Sequence, residues 1–469
     1  MLGREQAAAF LLARTGSSDR AAAEVLATEL GELPLALAQA AAFLEQTGLG
    51  LGEYLGLYRR DREVLLGKGE PVAAGATVDA TVGLAIPQVA QRSQAAVALL
   101  ELCAFLAPEA IPHRLLRANP QVLPGRLRRV VAAELAYAEA VGVLHGFSLL
   151  ELEPAGVGVH RLVQAVTHKR LDHKQRAAWA ARAVTLLLAA WPAESWLPAA
   201  WPWCGQLLPH ALAAATHAEQ LGTARESTGA LLNQVGLYLA GRAELPAARA
   251  TLQRALAIKE AAYEPDHPQV AVTLDNLGLV LRELGELPAA RARLERALAI
   301  RELADRPDHS QLARTLTNLG NVLVELGKLP QAHAHHQRAL AIFEAAHGPD
   351  HPLVARTLTN LGLVLRQLGK LPQAHARLER ALAIFEAAYG PDDPEVARTL
   401  GNLAGVLRQL GALPEARARL ERALAIFEAA YGPDHPLVAR TLTNLGGVLR
   451  QLGALSEAQA CEQRAQAIR

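Results

Sequence analysis

The 469-residue sequence is poor in cysteine, methionine, lysine and aromatic residues. Its three cysteines, Cys103, Cys204 and Cys461, are far apart and match neither a disulfide framework nor zinc-ligand spacing. Only six of the 47 basic residues are lysine, so arginine is the default cation. The formal net charge of +1 excludes a global electrostatic preference for nucleic acid, and any recognition of charge must be local.

Long apolar runs and phosphate-binding loops are also missing. The run from Ala7 to Ala13 is too short for a signal peptide, and no run approaches the length that spans a membrane. No Gly-x-x-x-x-Gly-Lys followed by Ser or Thr occurs, and Gly67, Lys68 and Gly69 do not meet that spacing. We therefore expect a cytoplasmic, non-enzymatic protein that makes no contact with a membrane.

What the sequence does contain is a signature that returns every 42 residues. An Asn-Leu-Gly triplet, with Ala404 in the Gly place of one copy, recurs at Asn276, Asn318, Asn360, Asn402 and Asn444. Before each copy stands a Pro-Asp-His-Pro type segment, in which Asp350 is expected to cap a helix. After each copy comes a glycine suited to a left-handed helix end, at Gly285, Gly327, Gly369, Gly411 and Gly453.

This pattern of small residues, leucines and caps resembles the tetratricopeptide repeat (TPR), a hairpin of two helices. The lengthened units resemble those of kinesin light chain. The resemblance covers residues 226–469 as six copies, the first marked by Leu232 and Gly236. It implies a mainly α fold, in which an α-solenoid of helix hairpins follows a helical segment and a winged-helix domain with a short β wing.

In a TPR stack, the non-packing face of each first helix lines a groove. The resemblance therefore implies a peptide-binding groove with a ladder of Asn276, Asn318, Asn360, Asn402 and Asn444. Arginines on the same face would supply bidentate recognition of carboxylate or phosphate groups. They are Arg314, Arg356, Arg366, Arg398, Arg408, Arg440 and Arg450.

The acidic residues on this face, Asp275, Glu283 and Glu325, all belong to early copies. We therefore expect a groove that is basic toward Arg450 and binds an acidic peptide or protein segment. The alternative is that the asparagines bond neighbouring helices and the arginines form a solvated face.

The first 75 residues contain Gly31, Glu32, Leu33 and Pro34 between helical segments. These residues resemble the Gly-Leu-Pro-Leu motif of NB-ARC ATPases, which are signalling switches of the STAND class, although Glu32 interrupts the motif. The resemblance implies a helical ARC-like remnant at 1–75, in which Pro34 would contact the adenine of a nucleotide. The alternative is a helix that simply begins at Pro34.

Residues 76–171 are predicted to form a winged-helix domain. A helix is expected from Leu127 to Val141, followed by strands at Phe147 to Glu153 and Val157 to Val159. His160 and Arg161 then resemble the Met-His-Asp motif of the same family, which implies that His160 senses the β-phosphate of ADP. A winged helix can also bind DNA, for which Arg126, Arg128 and Arg129 offer only a modest cluster.

The absence of a phosphate-binding loop determines what function we expect for the residues that precede the repeats. We expect no cofactor for this chain, because ADP or ATP would need a loop supplied upstream or by a partner. The chain is thus expected to be the regulatory tail of an NB-ARC-type switch, to which the repeats relay partner binding. The rival hypotheses are an ATP- or ADP-binding STAND regulator with an upstream loop and a DNA-binding regulator.

Residues 172–225 are predicted to be a helical bridge. Trp191, Trp196, Trp201 and Trp203 are expected to pack the junction or cap the first repeat, rather than to stack nucleic-acid bases. The densest metal-like cluster, His333, His335 and His336, lies on a second helix and is expected to be an exposed surface rather than a metal site.

Overall fold

The computed structural model describes residues 2–66, 74–304 and 308–468. Gly67, Lys68 and Gly69 lie outside these residues. Contacts divide the chain into two units, Met1–Glu264 and Pro265–Arg469. Both are built mainly from helices, as the composition and periodicity predict.

The first unit begins with short helices that pack on one another. Gly31 and Glu32, with φ of 64° and 52°, turn the chain so that Pro34 occupies the first turn of the next helix. Two short helices precede Leu30. The helices of this segment are α1 (Arg4–Thr15), α2 (Arg20–Glu29), α3 (Pro34–Thr47), α4 (Leu51–Leu66) and α5 (Ala74–Arg92).

A small antiparallel sheet lies among the next helices, with strand order β1-β3-β2. Its central strand β3 pairs Val157 with both Ile111 and Leu152. The elements here are α6 (Gln94–Cys103), β1 (Ile111–Pro112), α7 (His113–Ala118), α8 (Gly125–Ala132), α9 (Glu134–Gly146), β2 (Glu151–Glu153), β3 (Gly156–Gly158) and α10 (Arg161–Arg170).

Two predicted boundaries in this region are wrong. The helix expected over Leu127 to Val141 is two helices, because Ala133 adopts an extended backbone with φ −101° and ψ 121°. The strand expected from Phe147 begins only at Glu151. Phe147 is fully buried, so its apolar character reflects core packing in a turn and not strand pairing.

The predicted bridge consists of α11 (His173–Ala190) and α12 (Trp201–Gln220). Trp191 is buried and meets Tyr238 of the first repeat edge-on, with ring centroids 6.0 Å apart. Trp203 donates from Nε1 to the carbonyl of Ala190 at 3.1 Å. These two rings therefore pack the junction as expected. The Arg114 guanidinium lies 4.4 Å from the Trp203 ring centroid.

The first repeat closes this unit as the hairpin of α13 (Arg225–Gly241) and α14 (Leu245–Ala262). The second unit holds five further hairpins, one for each Asn-Leu-Gly copy. Their first helices are α15 (Pro268–Glu283), α17 (His309–Glu325), α19 (Pro352–Gln367), α21 (Pro394–Leu410) and α23 (Pro436–Gln451). Their second helices are α16 (Leu287–Leu303), α18 (Leu329–His347), α20 (Leu371–Tyr389), α22 (Leu413–Tyr431) and α24 (Leu455–Ile468).

Glycine brings the two helices of a hairpin close together. A Cβ at Gly362 would lie 2.6 Å from Cγ of Leu378, and one at Gly278 would lie 2.7 Å from Cγ of Leu294. Leucine on the second helix therefore packs closely against a small residue of the first helix, which is glycine in these two copies and Ala404 in the fifth. Between the helices, Gly369 adopts φ 74°, as predicted for a left-handed helix end.

The cap of the first helix differs from the prediction. Asp350 is exposed, and His351 is the capping residue instead, with Nδ1 accepting from the Leu353 amide at 3.2 Å. The following proline occupies the first turn and has no amide to cap, so the acceptor must reach the next residue. In the third copy, where serine replaces that proline, Asp308 does cap the helix.

Ion pairs connect successive second helices. Arg380 Nη1 lies 2.7 Å from Glu344 Oε1, and the equivalent pairs are Arg338 with Glu302, Arg422 with Glu386 and Arg464 with Glu428. All are partly exposed, so each contributes roughly 0.2–1 kcal/mol and mainly fixes register. None of the helices in the described residues combines the length and apolar character that crossing a membrane requires.

Candidate functional site

The solvent-facing side of α15, α17, α19, α21 and α23 is called the first-helix face below. Leu358, Leu361 and Leu365 of α19 are buried, whereas Arg356 and Gln367 are exposed. Asn276, Asn318, Asn360 and Asn402 are half-buried, and Asn444 is exposed. The helical period thus places the predicted asparagines and arginines on the face that does not pack.

A cavity of about 500 Å³ opens on this face across the last three copies. The first helices α19, α21 and α23 supply most of its lining, and α22 supplies Leu420 and Phe427. The predicted site residues that it brings together are Arg366, Arg398, Asn402, Arg408, Arg440 and Asn444. The cavity does not include the earlier predicted residues Asn276, Asn318, Arg314, Asn360 and Arg356.

An arginine in the second copy is neutralised by the next copy. Arg282 Nε donates to Glu325 Oε1 at 2.6 Å. At the equivalent positions of later copies the arginines remain as Arg366 and Arg408, but the acceptors become Gln409 and Gln451. Arg366 and Arg408 therefore keep the cation and lose its acidic partner.

Five predicted arginines make no hydrogen bond or ion pair to any other described residue: Arg314, Arg356, Arg366, Arg408 and Arg440. Burial and the nearby Arg408 lower the pKa of Arg366. Arg356 is exposed at its surface, but partial desolvation by its neighbours lowers its pKa, with Arg314 and Arg398 adding repulsion and Glu395 opposing the shift. Neighbouring guanidinium groups thus repel one another, and the face attracts negative charge.

Two other predicted arginines have partners. Arg398 Nε donates to Glu395 Oε2 at 3.1 Å within α21. Arg450 pairs with Glu462 of α24. Glu395 stands where other copies have leucine or glutamine, so a single acidic residue lies in the half expected to be purely basic.

Asp275 was expected among the acidic residues of this face, and that expectation is wrong. The side chain is buried, with Oδ2 2.5 Å from Arg301 Nη2 and 2.9 Å from Thr315 Oγ1. The next three copies have Phe343, Phe385 and Phe427 at the position of Arg301, so the pair replaces apolar packing there. Asp275 precedes Asn276 by one residue, and that rotation of about 100° turns its side chain away from the exposed face.

The side-chain amides of Asn318, Asn360, Asn402 and Asn444 make no hydrogen bond to another described residue. The alternative in which the asparagines bond neighbouring helices therefore has no contact to support it at these four positions. Each amide keeps a donor and an acceptor for a ligand.

The two residues predicted to sense a nucleotide lie in the first unit. Pro34 is exposed in the first turn of α3. His160 caps α10, with Nδ1 accepting from the Leu162 amide at 3.2 Å. It borders a cavity of about 170 Å³ that is also lined by Arg161 and by Glu109, Glu151 and Glu153. The nucleotide-sensing role of Pro34 and His160 stays a prediction.

One of the three cationic residues proposed for DNA, Arg128, has a local role. Arg128 donates to the carbonyls of Leu123 and Gln121 at 3.3 and 3.0 Å. The adjacent helix α9 carries Glu134 and Glu139 and no lysine or arginine. A helix without cations is poorly suited to a phosphate backbone.

The histidine cluster was expected to be exposed, but it is not uniformly so. His336 is completely buried, whereas His333 and His335 are half-buried. Elsewhere His375, Glu379 and Glu415 place ligand-type atoms within 4.8 Å of one another. Arg419 lies 3.3 Å from Glu379 and 3.4 Å from Glu415, so an arginine already compensates these carboxylates.

The repeat geometry agrees with a comparison against protein-family models. The tetratricopeptide repeat model matches residues 209–302, 311–387, 377–429 and 395–469, which together make up more than half of the chain. The chain belongs to the tetratricopeptide repeat family. A second model, described as a domain of unknown function (DUF7779), matches residues 88–176 of this TPR protein. No curated protein matches the TPR chain.

Solved structures similar to this TPR protein include kinesin-light-chain-like proteins. BtubC (BKLC) from P. vanneervenii is 24% identical, with 48% of this chain and 90% of that chain covered and a TM-score of 0.43. A putative kinesin light chain from P. anserina with nearly identical TPR-like repeats is 22% identical, with 43% and 95–96% covered in two structures and a TM-score of 0.39. YrrB, titled a TPR protein with an unusual peptide-binding site, is 22% identical, with 45% and 90% covered and a TM-score of 0.30.

These likenesses leave the ligand of this TPR protein undefined, because every identity is below 25% and every TM-score is below 0.5. Neither matching family model describes a catalytic activity. The resemblance of the front half to NB-ARC and STAND proteins, and the winged-helix interpretation of residues 76–171, stay predictions.

Proposed function

We propose that this TPR protein is a non-catalytic interaction and signal-sensing module whose first-helix face binds an extended, acidic segment of a peptide or protein. TPR proteins serve as interaction scaffolds, and the repeats make up most of the second unit. The acidic character of the partner is the specific part of the proposal.

One observation carries the proposal. Arg366 and Arg408 keep the position of Arg282, while the acidic partner of Arg282 is replaced by glutamine. If these arginines served only solubility, the loss of the acidic partner would increase repulsion among the guanidinium groups of this face with no compensating gain. A bound carboxylate would restore the missing interaction through a bidentate hydrogen bond.

The free asparagine amides support an extended conformation for the bound segment. Asn360, Asn402 and Asn444 recur on successive first helices, so they form a row of equivalent donors and acceptors. A peptide backbone offers carbonyl and amide groups at regular spacing whatever its side chains. The amides would then supply affinity for backbone, while the guanidinium groups select acidic side chains.

The further part of the proposal is that the first unit relays binding to an NB-ARC-type switch. A nucleotide would act through Pro34, which follows the turn at Gly31, and through His160, which caps α10. Labelled ADP binding to the purified chain tests this part. Micromolar affinity that is lost in His160→Ala supports the relay, and no detectable binding leaves an adaptor without a nucleotide switch.

The two rival functions have less support. An ATPase would need a phosphate-binding loop that the sequence does not contain. DNA binding would need cations on α9, which carries acidic residues instead. If this region did bind DNA through cations, its affinity for DNA fragments would fall steeply as the salt concentration rises.

The acidic-segment proposal is tested with degenerate nonapeptide libraries passed over the immobilised full-length chain. One library carries glutamate at three spaced positions, a second carries lysine, and a third carries glutamine at the same positions. We expect selective retention of the glutamate library, with retention falling as NaCl is raised from low to physiological ionic strength. Equal retention of all three libraries contradicts the proposal.

A further inference from the structure

The cavity across the last three copies holds more uncompensated charge than one carboxylate can neutralise. Arg366, Arg408 and Arg440 come from three successive first helices, line the same cavity and make no ion pair within the described part of the chain. Arg398 also lines it but is paired with Glu395. Three free guanidinium groups therefore converge on one space of about 500 Å³.

The fifth copy removes side chains from the wall of this cavity. Gly401 and Gly405 lie one turn apart on α21 and both line the cavity. The fourth copy has Thr359 and Leu363 at these positions. Glycine inside a helix is destabilising relative to alanine, and it is favoured where a ligand must approach the backbone closely. The pair of glycines enlarges the space into which the arginines point.

Gly405 also determines where Arg366 can lie. A Cβ at residue 405 would overlap Nη1 of Arg366, which belongs to the preceding copy. With leucine there, as at position 363, the guanidinium group would have to leave its place beside α21. Gly405 is therefore a positioning residue for Arg366, distinct from the arginines that would touch a ligand.

We propose that this cavity binds a phosphorylated side chain, phosphoserine or phosphothreonine, within the segment that the first-helix face holds. This inference rests on the proposed function and adds the chemistry of one residue in the partner. A phosphate carries a charge of about −1.5 to −2 and three acceptor oxygens, so one group can engage two arginine forks at once. A carboxylate carries one charge and two oxygens, and would leave at least one guanidinium group unmatched.

A nucleic acid fits the cavity less well than a phosphopeptide. The aromatic ring among its lining residues, Phe427, is buried in the hairpin and offers no face for a base to stack on. The neighbouring Asn402 and Asn444 amides continue the row that would hold a peptide backbone. The cavity therefore combines enough positive charge to bind one phosphate group with neighbouring side-chain amides that suit a peptide backbone.

The test compares three degenerate nonapeptide libraries that differ only in the central residue, which is phosphoserine, glutamate or serine. Each is passed over the immobilised full-length chain at physiological salt. We expect the phosphoserine library to be retained at least about tenfold more than the glutamate library, since a second arginine fork is engaged. The serine library should be retained least.

Two variants locate the effect. Arg366→Glu with Arg408→Glu should abolish the preference for phosphoserine. Gly405→Leu should reduce it by about tenfold through Arg366 alone, and should fold because leucine stands at this position in the second and fourth copies. Arg377→Glu, on an exposed site of α20 away from the cavity, is the matched charge control and should retain the preference.

The outcomes separate this inference from the proposed function. If glutamate and phosphoserine libraries are retained equally well, both above serine, the phosphate site is contradicted while acidic-segment binding stands. If all three libraries behave alike, both are contradicted. If Gly405→Leu leaves the phosphoserine preference intact, the positioning role of Gly405 is wrong.

Discussion

The imidazole of His336 packs directly on Gly320 of the preceding helix, where a Cβ would lie 2.6 Å from Cε1. Neighbouring hairpins place Leu378 against Gly362 in the same way. His336 is completely buried, and neither ring nitrogen has a partner in the described residues. Burial, with a smaller effect of His335 and His333, lowers the pKa of His336 to about 4.

We predict that His336→Leu stabilises the protein, and does so more in acid. The unfolded chain takes up a proton near pH 6.5, while folded His336 stays neutral until about pH 4. Wild-type stability is therefore lost as the pH falls from 6.5 to 4, amounting to about 2 kcal/mol at pH 5. Urea unfolding at pH 7.5 and pH 5 measures the difference between variant and wild type.

The fourth copy supplies a matched control for this prediction. Leu378→His places the same group in the equivalent hairpin and should add a second loss of stability between pH 6.5 and 4. A gap between wild type and His336→Leu that is the same at both pH values would show that His336 does not titrate in this way.

The buried pair of Asp275 and Arg301 leads to a prediction about non-additivity. Later copies hold mostly threonine in place of the aspartate and phenylalanine in place of the arginine. We expect Asp275→Thr or Arg301→Phe alone to destabilise by about 3–5 kcal/mol, because each leaves an unpaired buried charge. The double variant should lie within about 1 kcal/mol of wild type. Chemical unfolding of all four proteins closes this double-mutant cycle, and additive losses would contradict it.

The histidine caps lead to a third prediction. His351→Ala removes the acceptor for the Leu353 amide and should cost about 1 kcal/mol. His351→Asp should match or exceed wild-type stability, because Asp393 caps the equivalent helix and a carboxylate also favours a helix N-terminus. Thermal unfolding followed by circular dichroism measures both. Asp350→Ala, the neighbouring exposed residue, is the control and should change little.

Much of the repeat architecture could be predicted from the sequence because its signals are local and recur. Gly369 and Pro372 mark the end of one helix and the start of the next, and the structure has both where the pattern indicates. A local signal does not identify the capping residue when two neighbouring residues could both accept the hydrogen bond. Asp350 and His351 are both acceptors, and only the proline that follows decides that the histidine caps.

The pairing of Arg282 and of Arg450 could not be predicted because each pair joins two different helices. Arg282 meets Glu325 across a repeat boundary, and Arg450 meets Glu462 across a hairpin. The substitution of Glu325 by Gln409 and Gln451 was visible in the sequence, but its meaning depends on that contact. His336 was misjudged for a similar reason, since its burial depends on Gly320 in another helix.

The most direct test of acidic-segment binding is charge reversal at the unpaired arginines. The glutamate nonapeptide library is applied to wild type, to Arg366→Glu with Arg408→Glu, and to Arg377→Glu, with circular dichroism confirming the same helix content in each. We predict that the double variant loses at least about tenfold in retention while Arg377→Glu binds as wild type does. Undiminished binding by a folded double variant would contradict recognition through the first-helix face.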